Sequence, residues 1–135
     1  MSEPLSPSIL NKVTPNCRGI LVYSNQNELP PELLRDLDYL FNGQLRQVPE
    51  SIKGSSLFYT QSFGSKLFLC FIDEGQEMEK TTNLYQSINQ VISTENSKGK
   101  EQLLFAYHPK GNLPANIKKK LSKEFQGFKI DSLLQ

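Results

Sequence analysis

Two apolar runs, residues 57–59 and 67–72, follow each other closely around a short turn that contains Gly64. Within each run, aromatic and aliphatic side chains succeed one another without polar residues between them. A strand shows this pattern when helices cover both of its faces. The pattern therefore predicts a buried central strand at residues 66–72, paired in a hairpin with a strand at residues 56–63 that lies nearer the edge of the sheet.

Further strand-like segments occur on both sides of this hairpin. Residues 19–24 and 102–107 are short apolar runs that predict two more buried strands. Residues 44–48 are a weaker candidate strand. Residues 128–134 either add an edge strand or pack down as an apolar tail.

Three helices are predicted between these strands from apolar side chains at spacings of three and four. The first begins at Pro30-Pro31 and ends near Gly43, and Arg35, Asp36 and Asp38, which lie off its apolar stripe, should mostly face solvent. The second covers residues 78–93, and the third is stopped by Gly127. The apolar stripes are, in turn, Leu33, Leu34, Leu37, Leu40 and Phe41; Leu84, Tyr85, Ile88, Val91 and Ile92; and Leu113, Ile117, Leu121 and Phe125.

Alternation of strands and helices is typical of a three-layer α/β/α domain with a mostly parallel or mixed sheet, here of about five strands. A chain of 135 residues is large enough to form one core without metal or disulfide. We expect a single α/β domain at residues 17–135. Residues 1–16, which are rich in Pro, Ser, Thr and Asn, predict a flexible N-terminal arm.

Charge and cysteine content narrow the class of protein. No apolar run approaches the roughly 20 residues of a membrane span, and the first residues lack a secretory pattern, so a cytoplasmic protein without membrane contact is expected. Two distant cysteines and one histidine have no metal-ligand spacing, and no cofactor motif occurs, so neither a metal nor a cofactor is predicted.

The net charge is +1, but residues 98–135 hold eight lysines against three acidic residues. The carboxyl-terminal third is therefore the basic pole of the chain.

Folds of this class bind ligands beyond the carboxyl ends of their strands. The residues that would occupy this rim, and thus form a candidate ligand site, are Ser24, Asn25, Asp73, Glu74 and His108. No phosphate-binding glycine loop and no nucleophile motif accompany them, so no catalytic residue is predicted. Several acidic residues follow residue 72, just ahead of the second helix. Because the helix dipole favours acidic residues at this position, they can be explained by helix stability without a catalytic role.

Several stretches together resemble the amino-terminal, non-catalytic domain of the leucyl aminopeptidase family. They are residues 19–24 (GILVYS), the segment Phe41-Asn42-Gly43-Gln44-Leu45-Arg46, the Lys53-Gly54 turn, and the strand pair within residues 58–72. The resemblance covers roughly residues 18–107 and implies a macro-like α/β fold. It also implies that no catalytic residue carries over, because the metal site of that family belongs to a carboxyl-terminal domain.

Three functional hypotheses follow. The leading one is a non-enzymatic domain that acts through protein contacts as a subunit or assembly factor. The alternatives are a domain that binds or hydrolyses a nucleotide-like molecule at the strand rim, and an accessory protein that associates with nucleic acid through its third helix. The predicted partner-binding residues are Leu5, Ile9 and Leu10 of the arm and Lys118, Lys119, Lys120 and Lys123 of the third helix.

Overall fold

The computed structural model describes residues 13, 16–24, 28–47, 56–62, 65–73, 78–93 and 102–133. The arm residues predicted to contact a partner, Leu5, Ile9 and Leu10, lie outside this part of the chain. The elements in chain order are β1 (Cys17–Val22), α1 (Pro31–Leu40), a short 3-10 helix (Gln44–Gln47), β2 (Ser56–Ser62), β3 (Ser65–Phe71), α2 (Met78–Ser93), β4 (Gln102–Tyr107), α3 (Ala115–Glu124) and β5 (Phe128–Ser132).

The five described strands form one mixed sheet in the order β2-β3-β1-β4-β5. β1 pairs in parallel with both β3 and β4, and β4 pairs in parallel with β5. β2 runs antiparallel to β3 and forms one edge, as the hairpin pattern predicts. The α/β fold with a mostly parallel sheet is confirmed, although β1 and not β3 holds the middle position.

Side chains of β1 alternate between two apolar clusters, one on each face of the sheet. Ile20 and Val22 pack with the buried side of α1, and Leu21 packs with α2 and α3. The sheet therefore lies between α1 on one face and two helices on the other. None of the described helices combines the length and the apolar character needed to cross a bilayer.

The segment after α1 departs from its predicted conformation. The sequence offers residues 44–48 as a candidate strand, but Gln44–Gln47 form a 3-10 helix, and residue 48 lies outside the described ranges. Asn42 and Gly43 have φ angles of 56° and 79°, so the chain reverses directly after the helix. Gln44 Nε2 then donates to the carbonyl oxygen of Tyr59 at 2.9 Å. Leu45 is buried in the apolar cluster on the face of the sheet that α1 covers, called here the α1 cluster. These contacts hold the segment against β2, where the sequence pattern alone suggested a separate strand.

Asp38 was predicted to face solvent, and this prediction is wrong. Only 7% of the residue is exposed, although its neighbour Tyr39 is 72% exposed. The position lies three and four residues from Phe41 and Leu34, so it borders the apolar stripe of α1. Burial of the stripe therefore covers Asp38 as well.

Two described residues of the predicted arm contact the domain. Val13 is buried in the α1 cluster, and the carbonyl oxygen of Asn16 accepts a hydrogen bond from the N–H of Leu103 at 3.0 Å. The sheet thus holds the chain just ahead of β1. The other residues of the arm lie outside the described ranges.

Candidate functional site

The carboxyl edge of the sheet brings three of the predicted rim residues to adjacent strands. Ser24, Asp73 and His108 follow β1, β3 and β4, which are neighbours in the sheet. Backbone hydrogen bonds continue to the ends of these strands, from Tyr23 N–H to Tyr107 O at 2.9 Å and from Ile72 N–H to Val22 O at 2.7 Å. The structure thus places these three residues at the same edge of the sheet, whereas Asn25 and Glu74 lie outside the described ranges.

The connections that leave this edge lead to opposite faces of the sheet. The chain after β1 leads to α1, and the chain after β4 leads to α3 on the other face. Such a divergence opens a crevice in parallel α/β folds, and ligands commonly bind there. The side chains at this point therefore decide whether the rim can serve as a binding site.

His108 is buried at the rim, with 4% of the residue exposed. Its Nδ1 accepts a hydrogen bond from the backbone N–H of Lys110 at 3.1 Å, and its ring centre lies 6.2 Å from that of Tyr23. These contacts fix the turn that follows β4. His108, a candidate ligand residue in the sequence, thus contributes to the structure of this turn.

Beside His108 lies a buried pair of tyrosines that joins the sheet to α2. The hydroxyl groups of Tyr23 and Tyr85 are 2.6 Å apart, within hydrogen-bond distance. The ring of Tyr85 also packs edge-on against Phe125, at 5.6 Å between centres. Sequence reasoning placed Tyr85 in an apolar stripe and did not identify the pair. A usable signal existed, because a buried tyrosine hydroxyl needs a hydrogen-bond partner.

Replacement Tyr85→Phe is expected to lower the free energy of unfolding by about 1–2 kcal/mol, because the buried hydroxyl of Tyr23 loses this bond. Urea denaturation followed by circular dichroism measures the change. The matched control is the double variant Tyr23→Phe/Tyr85→Phe, which removes both hydroxyls. Its cost should fall below the sum of the two single variants, and strict additivity would contradict the pairing.

Acidic residues near the rim are exposed where the structure describes them. Asp73 lies at the surface two residues after the end of β3, and Glu79 is exposed in the first turn of α2. The position of Glu79 agrees with the predicted stabilisation of the helix dipole. Within the described ranges, no group of three His, Cys, Asp or Glu side chains is arranged to hold a metal ion.

The lysines of α3 divide into an exposed set and one residue with a structural role. Lys118, Lys119 and Lys123 are exposed. Lys120 is half-buried, and its Nζ lies 2.5 Å from Thr82 Oγ1 and 3.9 Å from Glu124 Oε2. Lys120 was predicted to bind a partner together with the other three lysines; in the structure its side chain instead contacts α2 and is less accessible than theirs.

Helix geometry explains the division. Successive residues are about 100° apart around a helix, so Lys119 and Lys123 lie opposite the buried Leu121 and Phe125. Lys118 and Lys120 then fall on the two flanks of α3, where Lys120 meets α2. We call the exposed lysines, Lys118, Lys119 and Lys123, the basic face. None of these three has an ion-pair partner in the part of the chain that the structure describes.

Comparison with known protein families and with curated protein sequences finds no match. The function must therefore be argued from the side chains of this chain and their geometry.

Proposed function

We propose that this chain is a non-enzymatic α/β domain that binds an acidic surface of a protein partner in the cytoplasm, as a subunit or assembly factor of a complex. The observation that supports the proposal is the basic face of α3. Lys119 and Lys123 are exposed on the side of α3 opposite the core, and Lys118 is exposed on its flank. Complementary charge of this kind accelerates association and selects partners.

The strand rim supports an enzymatic role less well. Tyr23, Tyr85 and His108 are buried, and the contacts between Tyr23 and Tyr85 and around His108 stabilise the turn after β4 and the packing of the sheet against α2. A catalytic rim needs a nucleophile or base within reach of a substrate. At this rim, the Tyr23 and Tyr85 hydroxyls contact each other, and His108 Nδ1 contacts the backbone of Lys110.

A protein partner is favoured over nucleic acid for two reasons. The net charge of the whole chain is only +1, whereas nucleic-acid-binding domains are usually strongly basic. Binding to single strands also uses exposed aromatic side chains beside the cations. Among the described residues, the one large apolar side chain that is strongly exposed is Tyr39, which lies on α1 across the sheet from α3.

The resemblance to the amino-terminal domain of leucyl aminopeptidases stays a prediction. If it reflects common ancestry, it favours the same conclusion, because that domain is the non-catalytic part of its family. A macro-like ligand site would require polar groups at the carboxyl edge that are open to a ligand. The buried state of His108 argues against such a site.

Neutralising the basic face tests the proposal. The variant Lys119→Gln/Lys123→Gln is expected to weaken recovery of the partner from native extract by about fivefold, since each rim charge contributes several tenths of a kcal/mol or more. The measurement is quantitative mass spectrometry of proteins that co-purify with the wild-type and variant chains.

A charge-matched control shows whether partner recovery depends on the charges of α3 or on the net charge of the protein. Lys80→Glu changes the net charge by the same amount and lies at an exposed position of α2. It should leave recovery of the partner unchanged. Equal losses for both variants, or none for either, would contradict a contact at α3, and recovery of nucleic acid in place of protein would favour the alternative partner.

A further inference from the structure

A cleft separates α3 from the edge strand β5. Its volume is about 330 Å³, at the lower end of the range for ligand sites. Leu113 and Ile130 supply apolar surface, and Lys118 and Ser122 line the side formed by α3. The full lining is Asn112, Leu113, Lys118, Ser122, Ile130, Asp131 and Ser132.

β5 offers backbone groups beside this cleft. It is the last strand of the sheet, and no described strand pairs with its outer edge. The N–H of Leu133 donates to Ala106 O at 2.9 Å, so the inward-facing groups of this segment belong to every second residue. By the same alternation, the N–H and C=O groups of Ile130 and Ser132 face outward. An extended chain can hydrogen-bond to such an edge.

Side chains on the two faces of β5 differ in charge. Ile130 belongs to the cluster on the α3 face, so Lys129 and Asp131 lie on the opposite face and balance each other. Asp131 also borders the cleft, but its side chain belongs to the opposite face of β5. Lys118 is therefore the charged side chain on the α3 face of the cleft, and no described residue forms an ion pair with it. A strand added at this edge would therefore be favoured when it carries acidic residues at every second position.

We propose that the partner contributes an extended acidic segment that pairs with β5, with a carboxylate side chain in the cleft beside Lys118. This inference rests on the proposed function and specifies how the acidic partner binds. Backbone pairing supplies affinity in such complexes, while the cleft selects the side chain. Lys119 and Lys123 would attract the segment from the neighbouring surface of α3.

The probe is a capped peptide of about eight residues in which Glu and Thr alternate, close to the usual length of a strand. We expect it to shift the amide resonances of Ile130 and Ser132 and to slow their hydrogen exchange. Two further peptides carry N-methyl groups on one or the other alternate set of amides. One set of amides faces β5 and the other faces away. Methyl groups on the set that faces β5 remove hydrogen bonds to the strand, so that peptide should bind at least about fivefold more weakly, whereas the other should bind like the unmethylated peptide.

Variants of the protein test the same contact from its other side. Ser132→Pro removes an outward N–H, which an edge strand tolerates, and it should weaken the peptide by a similar factor. Ser132→Ala keeps that N–H and should bind as the wild type does. Lys118→Gln should weaken the alternating Glu peptide and leave a Gln-for-Glu peptide unaffected. If Ser132→Pro does not fold, the two N-methylated peptides decide the question on the wild-type chain.

The outcomes distinguish the two proposals. Equal binding of both N-methylated peptides, or no binding of the unmethylated peptide, would overturn strand addition. The proposed function would still stand if partner recovery depends on Lys119 and Lys123 but not on Lys80. Loss of that dependence would instead overturn the proposed function itself.

Discussion

Replacement Gly19→Ala is expected to lower the free energy of unfolding by about 3 kcal/mol or more, at the upper end of the cost of overpacking. A methyl group built at Gly19 would lie 2.0 Å from Cε2 of Phe68, far inside any contact distance. Gly19 pairs with Phe68 across β1 and β3, and the ring is fully buried. Because interiors are close-packed, the buried ring cannot move aside without displacing its neighbours or the two strands. Urea denaturation at neutral pH measures the loss.

Two controls separate this clash from a general intolerance of alanine. Gly111→Ala places a methyl group in open space at a φ of 93°, and its cost should be limited to about 1 kcal/mol of backbone strain. The double variant Gly19→Ala/Phe68→Leu makes room for the methyl group. Its cost should fall below the sum of the two single variants by at least about 1 kcal/mol. A sum that is strictly additive would show that Phe68 does not cause the effect.

Raising the pH above 9 is expected to lower the free energy of unfolding by several kcal/mol before the lysines titrate fully. For each buried thiol, the free energy of unfolding should fall by at most ~1.4 kcal/mol per pH unit. Burial raises the pKa of Cys17 from 9.0 to about 12, although a backbone hydrogen bond of Gly19 and the charge of Arg18 oppose it. Burial likewise raises the pKa of Cys70 to about 12. Because the folded state favours the neutral thiol, this stabilisation is complete below pH 9. It is lost between pH 9 and about pH 12, as the unfolded chain ionises first.

Urea denaturation monitored by circular dichroism across this range measures the effect. The variant Cys17→Ala/Cys70→Ala should lose most of the pH dependence, whatever its stability at pH 7. Tyr59 also has a raised pKa, from burial and then from the charge of Cys70, and the first cause persists in that variant. A wild-type stability that stays constant to pH 11 would contradict burial of the thiols.

Elements with strong local patterns could be predicted closely from the sequence. The predicted bounds of the second helix and of the strand at residues 102–107 coincide with α2 and β4. Both segments have continuous apolar runs or stripes that are bounded by polar residues. Such patterns depend on neighbours in the chain, which the sequence displays directly.

Features that depend on distant contacts were missed. The bond between Tyr23 and Tyr85 joins residues 62 positions apart, and the contact of Lys120 with Thr82 joins residues 38 apart. The central position of β1 and the burial of Asp38 likewise follow from how elements pack. A pattern of polar and apolar residues indicates which face of an element is buried, but not which element covers it. The same limit applies to the lysines of α3. Lys120 differs from its neighbours because it contacts α2, and the sequence does not show that α2 lies beside α3.

Lysine-directed cross-linking in native extract tests most directly whether the protein acts through α3. We expect cross-links to a partner to concentrate at Lys118, Lys119 and Lys123, with the linked partner lysines close to segments rich in Asp and Glu. Lys80, which is also exposed but lies on α2, provides the internal reference. Partner cross-links that occur as often at Lys80 as on α3, or that avoid α3 altogether, would contradict a binding surface on this helix.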